Sequence, residues 1–288
     1  MKKALSILTA GCLAVSLAAC GSTAASSAAS AADSTASSAA ESTAASDTAA
    51  ADGQTYKVGI CQLVQHVALD AATQGFKDAL TEQLGDAVTF EEKNAQGDSN
   101  TCSTIINGFV SDNVDLILAN ATPALQAAQA GTNTIPVLGT SVTEYGVALG
   151  IDDFDGLVGT NISGTSDLAP LDEQAGIIKE LFPDAKTVGL LYCSAEPNSQ
   201  YQVDTVKASL EELGYTCEYY AFSDSNDLAT VCQSAADASD VIYVPTDNTV
   251  ANNTEIVNNI CQPAGVPVVA GEEGIMSGCG VATLSISY

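Results

Sequence analysis

A regular alternation of strand-like and helix-like patterns is the feature that most constrains how this chain folds. Tyr56–Leu63 is a short apolar run of β type, and Ala68–Leu84 follows it with apolar residues at helical spacing. The same succession continues to the strand-like run Ile135–Gly139, and a second series extends from Leu171 to Ala270. Strands that alternate with helices favour parallel sheets covered by helices. The sequence therefore predicts an α/β fold with two similar lobes, each built on a parallel sheet.

Three stretches within this pattern carry more specific predictions. Thr122-Pro123 is predicted to open a helix, with threonine as the cap and proline as the first helical residue. The alternation pauses between Thr140 and Ser166 and then restarts, and the two halves are predicted to join near residues 160–170. Asn248–Gln262 is predicted to form one continuous helix.

The N-terminal residues 1–19 have the three-part form of a secretory signal peptide. Lys2 and Lys3 precede an apolar run that ends in small residues, and this run is too short for a stable membrane span. The pattern L-A-A-C at 17–20 resembles the lipobox of bacterial lipoproteins. The resemblance implies that Cys20 becomes the first mature residue and carries lipid, which would anchor an extracytoplasmic protein to the bacterial cell membrane. The alternative is an ordinary secretory signal with a chance cysteine.

Residues 20–54 connect this signal to the folded part of the chain. After the cysteine they consist almost wholly of Ala, Ser and Thr with an occasional acid, and they contain no large apolar residue. Such a segment cannot bury enough apolar surface to offset the entropy lost on ordering, so we predict a flexible tether. The folded part is assigned to an N-terminal lobe at 55–165 and a C-terminal lobe at 166–288.

The chain is strongly acidic, with 35 Asp and Glu residues against eight lysines and no arginine. The formal net charge of −27 would repel phosphate groups, so the electrostatic contacts on which nucleic-acid binding depends are excluded. An anionic membrane surface would repel the chain as well, which makes a covalent anchor useful. We interpret the acidity mainly as a source of solubility.

The nine cysteines and the single histidine give no sign of a metal site. No C-x-x-C pair occurs and His66 stands alone, so the spacing of zinc ligands is absent from the sequence. We expect the cysteines after Cys20 to act as small buried apolar residues, and we expect no metal. The sequence contains neither a G-x-S-x-G elbow nor a phosphate-binding loop, and His66 has no evident nucleophile partner. The sequence therefore argues against an enzyme, and no cofactor is expected.

Small and polar residues gather in the loops that follow the predicted strands. In open α/β sheets the ligand binds at the carboxyl ends of the strands, and two such lobes facing each other form a cleft. Turn chemistry or helix capping explains each loop taken alone, whereas their shared position at one edge of both sheets favours a ligand site. The candidate ligand-binding residues are Gln65, His66, Thr122, Thr140, Ser141, Thr165, Ser166, Asn198, Ser199, Asp247, Asn248, Glu272 and Glu273.

Seven segments, in order along the chain, resemble the substrate-binding lipoproteins of ABC importers. These segments are QHVALDAATQGF, NAQGDSN, NATPALQAA, NISGTSDLAP, LYCSAEPNS, YVPTDNTVA and AGEEG. The most similar branch has the type I periplasmic-binding-protein fold and includes binders of tryptophan and related amino acids. The resemblance covers residues 56–288 and implies a monomer with two Rossmann-like lobes, joined by a hinge, that close on a small solute. It also implies that the solute is delivered to an ABC permease in the membrane.

The sequence departs from this family pattern at two places. Family members continue past the segment ATLSIS into elements that return to the first lobe, whereas this sequence stops at Tyr288 without a turn or cap signal. We therefore expect the sequence to be truncated at the C-terminus. Family members also often carry an acid at the position of Gln65 and a proline at the position of Val67.

An amino-acid ligand fits the chemistry of these loops. With no arginine in the chain, its carboxylate would be held by helix N-terminal amides and by the threonine and serine candidates of the first half. Its ammonium would pair with Asp247, Glu272 or Glu273. Helix capping is the alternative for Asp247, because this residue precedes a predicted helix. An apolar side chain would need an apolar wall, for which the candidates are Leu69, Tyr145, Tyr192 and Tyr201. The alternative for the three tyrosines is that they are packing residues.

These observations predict an extracytoplasmic solute-binding lipoprotein of an ABC importer. We expect it to bind a small amino acid of the aromatic type, such as L-tryptophan, in the cleft between the lobes. The alternatives are a ligand-binding sensor or signalling lipoprotein, and an importer component for a nucleoside or a branched-chain amino acid. A hydrolase built on two α/β lobes is disfavoured, because the sequence shows no nucleophile–base pair.

Overall fold

The computed structural model describes residues 53–288 of the chain. The predicted signal peptide, the lipidation of Cys20 and nearly all of the predicted tether lie outside the described residues. In the first half the elements are β1 (Tyr56–Gln62), α1 (Val67–Leu84), a 3₁₀ turn (Gly85–Ala87), β2 (Val88–Asn94), α2 (Ser99–Ser111), β3 (Leu116–Asn120), α3 (Thr122–Gly131), β4 (Val137–Val142), α4 (Tyr145–Leu149) and β5 (Ile162–Ser166). In the second half they are α5 (Leu171–Leu181), β6 (Thr187–Cys193), α6 (Pro197–Glu212), β7 (Thr216–Phe222), α7 (Ser225–Ala238), β8 (Val241–Val244), α8 (Asn248–Ala251), α9 (Thr254–Ala264), β9 (Val268–Ala270), α10 (Glu273–Cys279) and β10 (Ala282–Thr283).

Each half contains a five-stranded parallel sheet, and the two sheets share one topology. The first sheet has the strand order β2-β1-β3-β4-β5, and the second has the order β7-β6-β8-β9-β10. We call the part built on the first sheet lobe 1 and the part built on the second sheet lobe 2. In each lobe the strand order reverses beside the first strand, β1 or β6. The predicted α/β fold with two Rossmann-like lobes is confirmed.

Both faces of each sheet are buried beneath helices. In lobe 1, Ile60 and Leu118 belong to one hydrophobic cluster, whereas Ile117 and Phe109 belong to the other. Lobe 2 likewise has two clusters. Strands covered on both faces carry such apolar runs, which is why they stand out in the sequence. The seven described cysteines are free and only Cys279 is partly exposed, so the prediction that the cysteines are buried apolar residues is confirmed for the other six.

Acidic caps mark the starts of several helices, but α3 begins differently from the prediction. The Asp98 side chain accepts a hydrogen bond from the Thr101 amide at 2.6 Å and caps α2. In α3, Thr122 is the first helical residue and Ala121 takes the cap position, so the prediction of Thr122 as the cap is wrong. The Ala121 amide donates to the carbonyl oxygen of Thr140 at 3.0 Å, which holds residue 121 to the neighbouring strand and delays the helix by one residue.

Two predicted elements differ from the structure. The pause between residues 140 and 166 contains α4 and β5, and β5 is the fifth strand of the first sheet. Only Ile162 of this strand is buried, so no apolar alternation marks it in the sequence. The helix predicted over Asn248–Gln262 is divided into α8 and α9. At the break, the Asn253 side-chain amide donates to the Thr249 carbonyl oxygen at 2.8 Å and favours a turn.

Candidate functional site

A cavity of about 230 Å³ lies between the lobes at the carboxyl ends of their strands. Its lining includes residues that follow β1, β2 and β3 in lobe 1, and residues that follow β6, β7 and β8 in lobe 2. Parallel α/β sheets bind ligands where the strand order reverses, which here is beside β1 and β6. The cavity is therefore the candidate site that the topology favours.

The lining of this cavity combines apolar and polar groups. Leu63, Val64 and Pro123 of lobe 1 are apolar, and the rest of the lobe 1 lining consists of Gln96, Gly97, Asp98 and Ser99. Lobe 2 supplies mainly carboxylate, amide and hydroxyl groups. The lining includes the acids Asp98, Glu196 and Asp224 but no lysine. Such a surface disfavours an anionic ligand and suits a ligand that has a cationic group and an apolar part.

Glu196 is the buried acid of this lining, and sequence reasoning missed it. One carboxylate oxygen, Oε1, accepts from the Thr249 amide at 2.9 Å and from the Thr249 hydroxyl at 2.8 Å. The other, Oε2, accepts from the Asn248 amide at 3.1 Å, from Asn248 Nδ2 at 2.6 Å and from Asn198 Nδ2 at 3.3 Å. Five donors satisfy the acceptor capacity of this carboxylate. Glu196 precedes Pro197 at a helix start, and this position was the available sequence signal.

Asp247 has the geometry of a helix cap. Its Oδ1 accepts from the Val250 amide at 2.9 Å and its Oδ2 accepts from the Cys193 amide at 2.7 Å. The residue is 1% exposed. Burial raises the pKa of the Asp247 carboxyl, and the nearby Glu196 carboxylate raises it further. This is the capping alternative that the sequence left open, and the ligand-binding role of Asp247 stays a prediction.

The two glutamates proposed for the same ammonium lie at the start of α10. Glu272 is buried, and its carboxylate accepts from the Gly274 amide at 2.6 Å and from the Ile275 amide at 2.8 Å. Glu273 is exposed in the first turn of the helix. Neither residue belongs to the cavity lining, and their roles as ligand-binding residues also stay predictions.

His66 bridges the lobes. Its Nε2 lies 3.1 Å from Oδ1 of Asn248, which opens α8 in lobe 2. Because Asn248 Nδ2 donates to Glu196, its Oδ1 is the acceptor, and this network assigns the Nε2 proton to His66. Gln65 beside it is exposed. The structure therefore brings His66 and Asn248 together across the cleft.

Thr122, Thr140 and Ser141 come together at the ends of neighbouring strands. Asn120 at the end of β3 pairs with Thr140 in β4, and Thr122 is 2% exposed. Ser141 has a φ of 56°, and its buried hydroxyl has no hydrogen-bond partner. Ala121 beside them has a φ of 87°. Non-glycine residues at positive φ and unpaired buried polar atoms are uncommon, and both tend to occur at functional sites.

The remaining candidates divide into buried and exposed residues. Asn198 and Ser199 are buried in the first turn of α6, and Asn198 Nδ2 donates to the Thr246 carbonyl oxygen at 3.1 Å. Thr165 and Ser166 lie in the edge strand β5 and are exposed. The structure therefore does not bring Thr165 and Ser166 into the cavity lining.

A second inter-lobe contact involves two residues that sequence reasoning did not select. Gln202 Nε2 in α6 of lobe 2 donates to the Thr143 hydroxyl of lobe 1 at 3.4 Å. Its Oε1 accepts from the Thr246 amide at 3.1 Å. A glutamine within a helix carries no motif, so only the packing of the lobes identifies it.

The residues predicted as an apolar wall belong instead to the hydrophobic cores. Leu69 and Tyr145 are part of a lobe 1 cluster, and the Tyr145 hydroxyl donates to the Gly139 carbonyl oxygen at 3.0 Å. Tyr192 belongs to a lobe 2 cluster, against which Tyr201 packs. For the tyrosines this is the packing alternative that the sequence left open. None of the four residues belongs to the cavity lining, and their role as a wall stays a prediction.

Neither a metal centre nor a membrane span is found in the described part of the chain. Within residues 53–288, no group of three or more His, Cys, Asp or Glu side chains is arranged to hold a metal ion. No helix in this range is both long enough and apolar enough to cross a bilayer.

Comparison with known proteins decides the family. A family model described as ABC transporter substrate binding protein matches residues 57–288. The chain belongs to this family. Its two lobes match the type I periplasmic-binding-protein fold, and the members of the family are solute-binding proteins. The resemblance inferred from the seven segments is confirmed.

Two proteins similar to this solute-binding protein are described with an aromatic amino acid. It is 37% identical over 234 residues to a tyrosine-binding protein of Clostridioides difficile (strain R20291), an alignment that covers 80% of this chain and 68% of that protein. It is also similar to the crystal structure of an ABC domain from Streptococcus pneumoniae in complex with L-Trp. That match has 32% identity and a TM-score of 0.78, and it covers 81% of this chain and 80% of the other.

A third comparison concerns the arrangement of the lobes. The ligand-free, open structure of a Clostridium difficile substrate-binding protein with adhesive properties is 38% identical, with coverage of 78% of this chain and 77% of that chain. Its TM-score is only 0.54, although its identity exceeds that of the L-Trp complex. A rigid rotation of one lobe lowers such a score without changing the fold. The lobes of this solute-binding protein are thus arranged more like those of the L-Trp complex, in accord with the hydrogen bond between His66 and Asn248.

Proposed function

We propose that this chain is the extracytoplasmic solute-binding lipoprotein of an ABC importer and that it binds an aromatic L-amino acid between its lobes. The observation that carries the proposal is the cavity of about 230 Å³ between the lobes, whose lining combines three apolar side chains of lobe 1 with acidic and amide groups and contains no lysine. An amino acid with an apolar side chain likewise combines an apolar part with a cationic ammonium. The tyrosine-binding relative and the L-Trp complex support an aromatic side chain.

The structure suggests how such a ligand would be held. Leu63, Val64 and Pro123 would pack against its ring, and the helix starts around the cleft would offer amide groups to its carboxylate. The absence of lysine from the cavity lining would disfavour solutes with a net negative charge. Residues of both lobes would contact one ligand, so binding would stabilise the closed arrangement.

A fluorescence titration tests the ligand. The chain contains no tryptophan, so the emission of added L-tryptophan reports only the ligand. We expect a blue shift on addition of the protein, and L-tyrosine or L-phenylalanine should reverse it by competition. Calorimetry with L-leucine and with a nucleoside provides the control. Binding of the nucleoside alone, or of L-leucine more tightly than of any aromatic amino acid, would contradict the proposal.

Membrane attachment is tested separately. We expect mass spectrometry of the membrane fraction to find a lipid-modified N-terminus at Cys20, and Cys20→Ala to release the protein from that fraction. An unmodified N-terminus at another residue would favour an ordinary secretory signal. Uptake of labelled amino acid by cells with and without the gene distinguishes an importer component from a sensor, because a sensor would bind the ligand without supporting uptake.

A further inference from the structure

Four carboxylates are buried in the described part of the chain, and they differ in how their oxygens are satisfied. They belong to Asp167, Glu196, Asp247 and Glu272. In the last three, both oxygens accept from backbone amides, as described above. Each of their carboxylate oxygens therefore has a donor within the fold. Asp167 is the exception among these four.

One oxygen of the Asp167 carboxylate has no partner. The residue is 8% exposed, its Oδ2 accepts from the Tyr288 hydroxyl, and its Oδ1 is buried without a hydrogen bond. None of the ion pairs among residues 53–288 includes it. Burial raises the pKa of the Asp167 carboxyl. A buried carboxylate oxygen without a donor is costly, so its persistence calls for an explanation such as a cationic ligand.

Asp167 lies beside the strained Ser141. Val142 and Ser166 are paired across β4 and β5, and the Asp167 amide donates to the Val142 carbonyl oxygen at 3.1 Å. The register of the two strands shifts between Gly139 and Val142, so Ser141 sits in the irregularity. Its buried hydroxyl also lacks a partner. An unpaired donor and an unpaired acceptor thus flank one strand pair.

Lobe 2 contacts lobe 1 close to Asp167. Thr143, which follows β4, accepts from Gln202 Nε2 at 3.4 Å. Gln202 also donates to the carbonyl oxygen of Asn198, and the Asn198 side chain in turn donates to Glu196 at the cavity. The buried Oδ1 of Asn198 is itself without a partner. Hydrogen bonds through Gln202 and Asn198 therefore extend from Thr143, near Asp167, to Glu196 in the cavity lining, although Asp167 and Ser141 do not themselves belong to that lining.

We infer that Asp167 binds the ammonium group of the amino-acid ligand and that the Ser141 hydroxyl donates to the ligand carboxylate. The inference rests on the proposed function. It assigns the recognition of the ligand's ammonium and carboxylate to lobe 1, where β4 and β5 end. It replaces Asp247, Glu272 and Glu273 as the partners of the ammonium. The unpaired atoms would then receive the bonds that they lack in the fold itself.

The test compares Asp167→Asn with the wild-type chain for two ligands. L-tyrosine carries an ammonium, whereas 3-(4-hydroxyphenyl)propionate has the same ring and carboxylate without it. We expect Asp167→Asn to weaken L-tyrosine by roughly ten- to a hundredfold, since a charge-assisted hydrogen bond is removed. The affinity for the propionate should change by less than about threefold, because that ligand never made the bond.

Matched variants control for structural damage. Asp240→Asn removes an acid whose Oδ2 accepts from the amides of Lys186 and Thr187 at 2.7 and 2.9 Å, at the opposite ends of the lobe 2 strands. It should leave L-tyrosine affinity unchanged. Asp167→Glu retains the charge and should lose less affinity than Asp167→Asn, which keeps the test decisive if the asparagine variant folds poorly.

The outcomes separate the inference from the proposed function. If the wild-type chain binds none of the three aromatic amino acids, the proposed function fails and the inference fails with it. If the wild type binds L-tyrosine and Asp167→Asn binds it equally well, only the inference fails. The assignment of Asp167 would also be overturned if Asp167→Asn lost equal affinity for L-tyrosine and for the propionate. It would likewise be overturned if Asp247→Asn, and not Asp167→Asn, lost affinity for L-tyrosine alone.

Discussion

The change Asp247→Asn gives a pH-dependent prediction about the stability of lobe 2. Asp247 accepts one amide hydrogen bond on each carboxylate oxygen, from Cys193 and from Val250. Asparagine retains one acceptor and caps helices well, but its NH₂ group would face the second amide. Leaving one buried amide without an acceptor costs about 1–3 kcal/mol. This is the expected loss in the free energy of unfolding at acidic pH.

The loss should shrink as the pH rises. Burial and the Glu196 carboxylate raise the pKa of Asp247, so the folded wild type binds this proton more tightly than the unfolded chain. Such a group stabilises the fold fully below its unfolded pKa of about 3.9, and that contribution is lost as the pH rises towards the folded pKa. The free energy of unfolding of the wild type therefore falls by up to about 1.4 kcal/mol per pH unit in this window. The variant lacks this term, because asparagine does not titrate.

Denaturant melts of both proteins between about pH 4 and pH 8 measure the difference. Other titrating groups contribute to both proteins and largely cancel in the comparison. We expect the variant to be clearly less stable at the acidic end and to approach or exceed the wild type at the basic end. A stability difference that grows with pH would refute the argument, because Asp247 would then be a carboxylate stabilised by its two amide bonds.

Two further predictions concern other parts of the fold. Gly164→Ala should destabilise the chain by about 1–3 kcal/mol or more in a denaturant melt, because the added methyl group would overlap the backbone of the neighbouring strand. Gly176→Ala in the interior of α5, where the methyl group meets no neighbouring atom, should stabilise the chain by about 0.5–1 kcal/mol. Equal effects of the two changes would contradict this explanation. His66→Ala removes the hydrogen bond to Asn248 between the lobes and should weaken L-tyrosine and L-phenylalanine alike, by roughly two- to tenfold in calorimetry. A loss confined to one ligand would instead indicate direct contact.

The alternating patterns of the sequence predicted most of the fold because parallel strands are buried on both faces. Strands such as β3 and β8 read as unbroken apolar runs, and the helices between them show apolar faces. The exception was β5, which is an edge strand paired with β4. Because only one of its residues is buried, its sequence shows no apolar pattern. The break between α8 and α9 was missed for a related reason, because asparagine is tolerated both inside and between helices.

Topology also allowed the location of the candidate site to be predicted, but not its chemistry. The loops after β1, β3, β6 and β8 follow strands that must share one edge of a sheet, so the sequence indicated where they meet. The sequence did not distinguish acids that cap helices from an acid that has a carboxylate oxygen without a hydrogen-bond partner. Asp247 and Glu272 were selected because they follow recognised strands, although both cap helices, whereas Asp167 follows an unrecognised strand and was passed over.

The sequence by itself determined the family, the α/β class and the approximate position of the cleft, because these depend on local periodicity and on motifs that lie along the chain. Only the tertiary structure decided how the buried polar groups are paired. Hydrogen bonds such as His66 to Asn248 and Gln202 to Thr143 join residues that are far apart in the sequence, and no local pattern encodes them. The unpaired oxygen of Asp167 likewise exists only as a result of packing, since a polar atom is unsatisfied only when the fold removes it from water and offers it no partner.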